Sequence, residues 1–280
     1  MGGRRAGTIK SCAGEVITIV HEEIWMKLSV CGKGGSGKST IVALMANALQ
    51  KRGYGVLVVD SDESNPGLYR LLGLERRPQP LLELVGGKKR VFQAFSEDSD
   101  SPVSVLTQEQ IQTRDLPSRY IVGQDRVRLV CVGKILQSLE GCACPMGALS
   151  REFLGRLRLQ EHEVALVDME AGIEHFGRGV ETSVDSVLAV TEPSLDSLEL
   201  AEKIGTLADD VGIERVWAIL NKVPSEEMAL RLRKQLEGRG VPVIGSIGYD
   251  PEVLRSGLEG RPIHSSNAET EIERVVDQLL

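Results

Sequence analysis

The sequence predicts a three-layer α/β domain, a doubly wound and mostly parallel sheet with helices on both faces. Three observations carry that expectation. Short aliphatic runs recur at residues 28–31, 56–59, 127–132, 164–167, 187–190, 216–220 and 241–247, separated by stretches of helical periodicity. The runs do not alternate apolar with polar residues; strands covered on both faces have no need to, and right-handed crossovers distribute the helices to either side. A glycine-rich turn lies between the first run and the helical stretch 39–52, and acids close the runs at 56–59 and 164–167.

With 280 residues, 41% of them hydrophobic and only 4% aromatic, the chain can bury one sizeable core. That core is assigned to residues 26–280. Residues 1–25 are read as a flexible or non-native extension, because Met26 opens directly onto the first run; an edge strand over 16–20 is the alternative. The apolar run 17–20 is too short for a secretory core and is followed by Glu22 and Glu23, so no signal peptide is read. No stretch reaches the roughly 20 apolar residues that span a bilayer, and a cytoplasmic protein without stable membrane association is expected.

A net charge of -7 and a pI near 5.3 argue against nucleic acid as a partner, since binding its backbone needs clustered Lys and Arg. The five cysteines, at positions 12, 31, 131, 142 and 144, are an odd number without an export signal, which favours reduced thiols. Cys31 and Cys131 lie in strand-like runs and read as packing residues. The four histidines, His21, His162, His175 and His264, stand apart and read as surface or loop residues.

Residues 86–124 break the pattern. Lys88, Lys89, Arg90, the acidic run 97–100, Pro102 and Pro117 interrupt any period, so the stretch is expected to be an irregular lid or interface excursion.

The chemistry concentrates in the turn. Gly32, Lys33, Gly34, Gly35, Ser36, Gly37, Lys38, Ser39 and Thr40 fit GxxxxGK[ST] between a strand and a helix, the phosphate-binding P-loop context. Glycines let main-chain N–H groups point at phosphate oxygens, and the helix N-terminus adds partial positive charge. Lys38 supplies a full charge, the Ser39 hydroxyl suits magnesium, and Thr40 lies near the inner phosphates.

Two strand ends add Asp60 and Asp62, and Asp168 and Glu170. Carboxyl ends of parallel strands line one crevice, so these acids can converge on the phosphates, one holding magnesium through water and another orienting the attacking water. Taken alone, Asp60 is equally readable as a helix N-cap. Asn221, followed by Lys222, is a candidate reader of the purine edge, because an amide offers both donor and acceptor.

The early Lys33 gives the loop a form that resembles the deviant Walker A motif of the dimeric ATPases that include MinD, ParA and the nitrogenase iron protein. The resemblance implies that Lys33 reaches the partner subunit's phosphates in a nucleotide-bridged homodimer, that Asp60 holds magnesium through water and Asp62 orients the attacking water, and that residues 168–172 form the switch that senses the γ-phosphate.

A narrower likeness, carried by Glu140, Gly141, Cys142, Ala143, Cys144, Pro145, Met146 and Gly147 and by residues 167–175, with shorter matches at 81–83, 132–134 and 191–194, is to the CooC-type maturation ATPases of carbon monoxide dehydrogenase. It covers residues 26–280. It implies ATP and ADP with Mg2+ as cofactors, Ni2+ or Zn2+ on Cys142 and Cys144 at a dimer interface, and a client metalloenzyme. It also implies base contacts from Asn221 and from Tyr249, Asp250 and Pro251.

Physically, two thiolates cannot complete a four-coordinate shell, whereas two chains on a twofold axis would supply four sulfurs. Short cysteine pairs also occur as inert packing residues. Two rivals remain: an ATP-dependent reductase with an intersubunit iron–sulfur cluster, and a positioning ATPase cycling on membrane or DNA. Glu269, Glu271, Glu273 and Asp277 against Arg274 make the C-terminal helical stretch a poor partner for anionic lipid.

Overall fold

The computed structural model describes residues 4–10, 16–22, 25–62, 66–96, 106–133, 144–177 and 179–280. Its strands are β1 (Arg4–Lys10), β2 (Val16–Glu22), β3 (Met26–Gly32), β4 (Gly55–Asp60), β5 (Ile121–Gln124), β6 (Val127–Cys131), β7 (Glu163–Asp168), β8 (Ser186–Thr191), β9 (Val216–Val223) and β10 (Val243–Gly248). The helices are α1 (Lys38–Lys51), α2 (Leu68–Leu71), α3 (Leu81–Leu84), α4 (Lys88–Ser96), α5 (Cys144–Arg156), α6 (Glu174–Gly177), α7 (Leu195–Asp210), α8 (Glu226–Glu237), α9 (Pro251–Glu259) and α10 (Ser266–Leu279). Single 3-10 turns lie at Thr113–Asp115 and Glu181–Ser183.

Eight strands form one sheet in the order β10-β9-β8-β3-β7-β4-β6-β5. All neighbours are parallel except β5, which runs antiparallel to β6. The first strand of this sheet, β3, therefore sits between β7 and β8, and the chain winds away from it in both directions. Such a reversal opens a crevice at the carboxyl ends of the central strands.

The unbroken apolar runs follow from burial on both faces. In β4, Val56 and Val58 join the core under α1 and α10, while Leu57 and Val59 join the core under α5, α7 and α8. β7 divides in the same way, with Val164 and Leu166 on one face and Ala165 and Val167 on the other. Helix α1 buries Ile41, Leu44, Met45 and Leu49 almost completely, each contributing about 1.5–3 kcal/mol of hydrophobic stabilisation. That anchors the helix whose N-terminus faces the crevice.

The stretch 86–124 differs from the irregular excursion expected. Residues Lys88–Ser96 form α4, which turns Val91 and Ala94 into the α5-side core. The run of Lys88, Lys89 and Arg90 masks that short apolar stripe in the sequence. Strand β5 completes the sheet edge although Gly123 and Gln124 give it no aliphatic pattern, because ladder pairing to β6 does not require one. Near the N-terminus, β1 and β2 pair antiparallel as a separate two-stranded sheet, from Arg4 opposite Glu22 to Lys10 opposite Val16.

Candidate functional site

The loop from Gly32 to Gly37 turns directly off β3 into α1, in backbone conformations only glycine adopts without strain. Gly32 has φ 142° and Gly37 φ 97°. A Cβ at Gly32 would stand 2.5 Å from the Val190 carbonyl oxygen, and one at Gly37 would collide with the Asn221 amide. The resulting cradle holds Lys38, which is only 6% exposed, with its Nζ donating to the carbonyls of Gly32 (3.4 Å) and Lys33 (3.3 Å). Ser36 Oγ is buried and has no hydrogen-bond partner among the described residues. A buried ammonium held by two long contacts, with an orphaned hydroxyl in the same loop, fits a polyanionic ligand.

The acids converge as the parallel sheet dictates. Asp60 and Asp168 stand opposite one another at the ends of β4 and β7, and Asp60, Asp62 and Asp168 are all buried. Ser39 Oγ donates to Asp168 Oδ2 at 2.6 Å, while Asp168 Oδ1 has no hydrogen-bond partner among the described residues. Burial and, next, the Asp60 charge push the Asp168 carboxyl up to about 7, with Asp62 adding to the rise and the Ser39 bond and Lys38 opposing it. A cation would relieve the mutual repulsion of these acids. Magnesium, which keeps several waters and takes one or two carboxylates along with phosphate oxygens, suits such a site. Among the described residues no group of three or more His, Cys, Asp or Glu is placed to hold a metal by itself.

Asn221, near the end of β9, donates from Nδ2 to Ser36 O at 2.7 Å and so braces the loop with that amide hydrogen. Lys222 follows at φ 58°, and its ammonium meets Gly35 O and lies 3.6 Å from Glu192. The turn after β10 is bonded to the end of β9, Tyr249 N donating to Val223 O at 2.9 Å. Tyr249 is exposed, Pro251 starts α9, and Asp250 caps that helix by accepting from Glu252 N at 2.7 Å. The Ser265 hydroxyl, which also bonds Asp250, holds its carboxyl below the ordinary range.

Lys33 is half-buried at the loop rim, 3.1 Å from Asp196 Oδ2 and 3.9 Å from Glu192 Oε1. From the sequence Glu192 enters only through the 191–194 match and neither acid is paired with Lys33; Asp196 has the pattern of a first-turn helix acid. Glu170 follows Asp168 by two residues, beyond the end of β7, and is partly buried. Cys142 lies outside the described residues, and Cys144 is the first residue of α5.

His175 departs from the surface position expected of it. Its side chain is 2% exposed and its ring bonds the carboxylate of Glu181, itself 1% exposed. A lone histidine after an acid-rich loop carries no signal of burial; the partner six residues on could have been found only by pairing the two.

The sequence profile of the CobQ/CobB/MinD/ParA nucleotide binding domain matches residues 28–263. Over 255 residues, 91% of this chain and 99% of the relative, the chain is 43% identical to an uncharacterized ATP-binding protein of Methanocaldococcus jannaschii. It is 36% identical over 203 residues to the carbon monoxide dehydrogenase accessory protein CooC of Rhodospirillum rubrum, covering 71% and 75% of the two chains. In fold it is similar to the septum site-determining protein MinD of Pyrococcus horikoshii complexed with Mg-ADP, at TM-score 0.67 and 19% identity over 91% and 96% of the chains. A braced glycine loop, a buried lysine and an acid on the loop serine thus coincide with a profile match across most of the chain: the protein belongs to the CobQ/CobB/MinD/ParA nucleotide-binding family and is a P-loop ATPase.

Proposed function

We propose that this ATPase is a dimeric metallochaperone that couples ATP turnover to delivery of a soft metal, nickel in the first instance, to a client metalloenzyme of the carbon monoxide dehydrogenase kind. One observation carries the reading: α5 opens at Cys144 of the Cys142-Ala143-Cys144 sequence and is bonded to the acid loop through Ser150 and Ser61, whose Oγ atoms lie 2.9 Å apart. The relationship to the CooC accessory protein supports it.

In the nucleotide site, the loop N–H groups and Lys38 bind and orient the triphosphate. Ser39, with Asp60 and Asp168, would hold magnesium, which would supply charge neutralisation at the phosphate oxygens. Asp62 orients a water whose oxygen bonds to the γ-phosphorus as the bond to the β–γ bridging oxygen breaks. The products are ADP and phosphate. Lys33 neutralises charge on the other subunit's nucleotide once two chains close. Asn221 and Lys222 steady the loop, and Tyr249, Asp250 and Pro251 flank the base.

Cys142 and Cys144 of two chains would together offer the cargo four thiolates, so metal binding and dimer formation are linked equilibria. Among the described residues no helix is long and apolar enough to cross a membrane. On α10, Glu269 and Glu273 pair with Lys51, and Asp277 pairs with Arg52.

The test is metal content and oligomeric mass measured together, with and without MgATP, on the natural chain and a Cys142→Ser, Cys144→Ser double variant. The natural chain should bind about one nickel or zinc per dimer and the variant none. Equal metal content in both would reject the cargo site, and a cluster chromophore in anaerobically prepared protein would favour the reductase.

A further inference from the structure

The buried pair His175 and Glu181 is used by none of the steps above. Burying two titratable groups costs free energy unless each is bonded, and the bonds here are specific. His175 Nε2 lies 3.0 Å from Gly172 O. A carbonyl only accepts, so Nε2 carries hydrogen and donates to it. Nδ1 meets Glu181 Oε1 on the opposite edge of the ring. Glu181 Oε2 is buried without a hydrogen-bond partner among the described residues, a cost that packing alone does not explain.

The carbonyl that His175 holds belongs to a strategic residue. Gly172 N donates to Gly32 O at 3.2 Å, joining the acid loop after β7 to the first glycine of the phosphate loop. Gly172 has φ 91°, so its two flanking peptides can turn in ways closed to other residues. On the far side, Glu181 opens the 3-10 turn Glu181–Ser183, and Ser183 Oγ donates to Arg151 O of α5 at 3.2 Å.

We infer that His175 is a positioning residue for ATP hydrolysis: backed by Glu181, it fixes the Gly172 carbonyl and thereby the loop that presents Asp168 and Glu170 to the nucleotide. Glu181 sets the ring's orientation, and the bond to Gly172 transmits it. The inference rests on the ATPase activity and is independent of the cargo metal.

Two amides separate the two bonds. A glutamine amide nitrogen falls near the position of Nε2 and an asparagine nitrogen near that of Nδ1. His175→Gln therefore keeps a donor for Gly172, and His175→Asn keeps only the contact to Glu181. Steady-state hydrolysis should show kcat lowered about 30-fold or more in His175→Asn with nucleotide KM within about threefold, and most of that loss recovered in His175→Gln. Equal kcat in the two variants, or a change confined to KM, would overturn the assignment.

Should either variant fail to fold, hydrogen exchange on the natural chain decides. Amides of residues 172–184 should exchange differently with a non-hydrolysable ATP analogue and magnesium than with MgADP. Identical exchange would overturn the assignment equally.

Discussion

Ser61 Oγ lies 2.9 Å from Ser150 Oγ, so the segment between Asp60 and Asp62 is bonded directly to the helix that begins at Cys144. A rigid helix held at this point has a direct route for following the acids when they rearrange around a nucleotide. In a Ser61→Ala, Ser150→Ala cycle the coupling energy for unfolding should be about 0.5–1.5 kcal/mol, measured by urea titration. Either single variant should weaken the effect of MgATP on metal affinity, measured by metal titration. Full coupling in the double variant would exclude this bond from the route.

Lys33 is held by Asp196 and Glu192 of its own chain at the loop rim, whereas Lys38 is buried inside the loop. The two lysines should therefore separate cleanly. Lys33→Gln should bind ATP within about fivefold of the natural chain by calorimetry, while hydrolysis falls about 100-fold or more. Lys38→Gln should lose binding itself. Undiminished turnover in Lys33→Gln would remove the cross-subunit role.

Asp250 and Ser265 form one capping unit for two helices. Asp250 caps α9, and Ser265 caps α10 by accepting from Ala268 N at 3.2 Å while bonding Asp250. The Asp250 carboxyl is held below its ordinary value, chiefly by the Ser265 hydroxyl. Its stabilising effect is thus present above the unfolded-state value and is lost as pH falls through the lower folded-state value. Ser265→Ala should cost about 1 kcal/mol at neutral pH from the lost α10 cap. It should also flatten the acid limb of stability below about pH 4, in urea titrations run across that range.

Phe153 anchors α5 and is fully buried. Phe153→Ala should destabilise the domain by about 3–5 kcal/mol in denaturant unfolding. A much smaller value would mean that α5 is loosely docked, and the route through Ser150 would lose its basis.

Much of this architecture is readable in the chain. Each of the seven aliphatic runs overlaps a strand of the main sheet, because strands buried on both faces are apolar at most positions, as Val56, Leu57, Val58 and Val59 are. The phosphate loop is legible because its demands are local: Gly32 and Gly37 occupy conformations that other residues avoid. Strand β5 and helix α4 were not legible, since one owes its place to ladder pairing and the other to a stripe of Val91 and Ala94 too short to register as a period.

By itself the sequence determined the fold class, the glycine cradle with Lys38, and the acids at the strand ends, all of which follow from local backbone chemistry and the periodicity of burial. Only the tertiary structure decided that Ser39 bonds Asp168, that Asn221 braces Ser36, and that His175 is buried against Glu181. Those partnerships join residues through strand order and loop packing. A hydrogen bond across 129 or 185 positions depends on which strands become neighbours, and no local pattern encodes that.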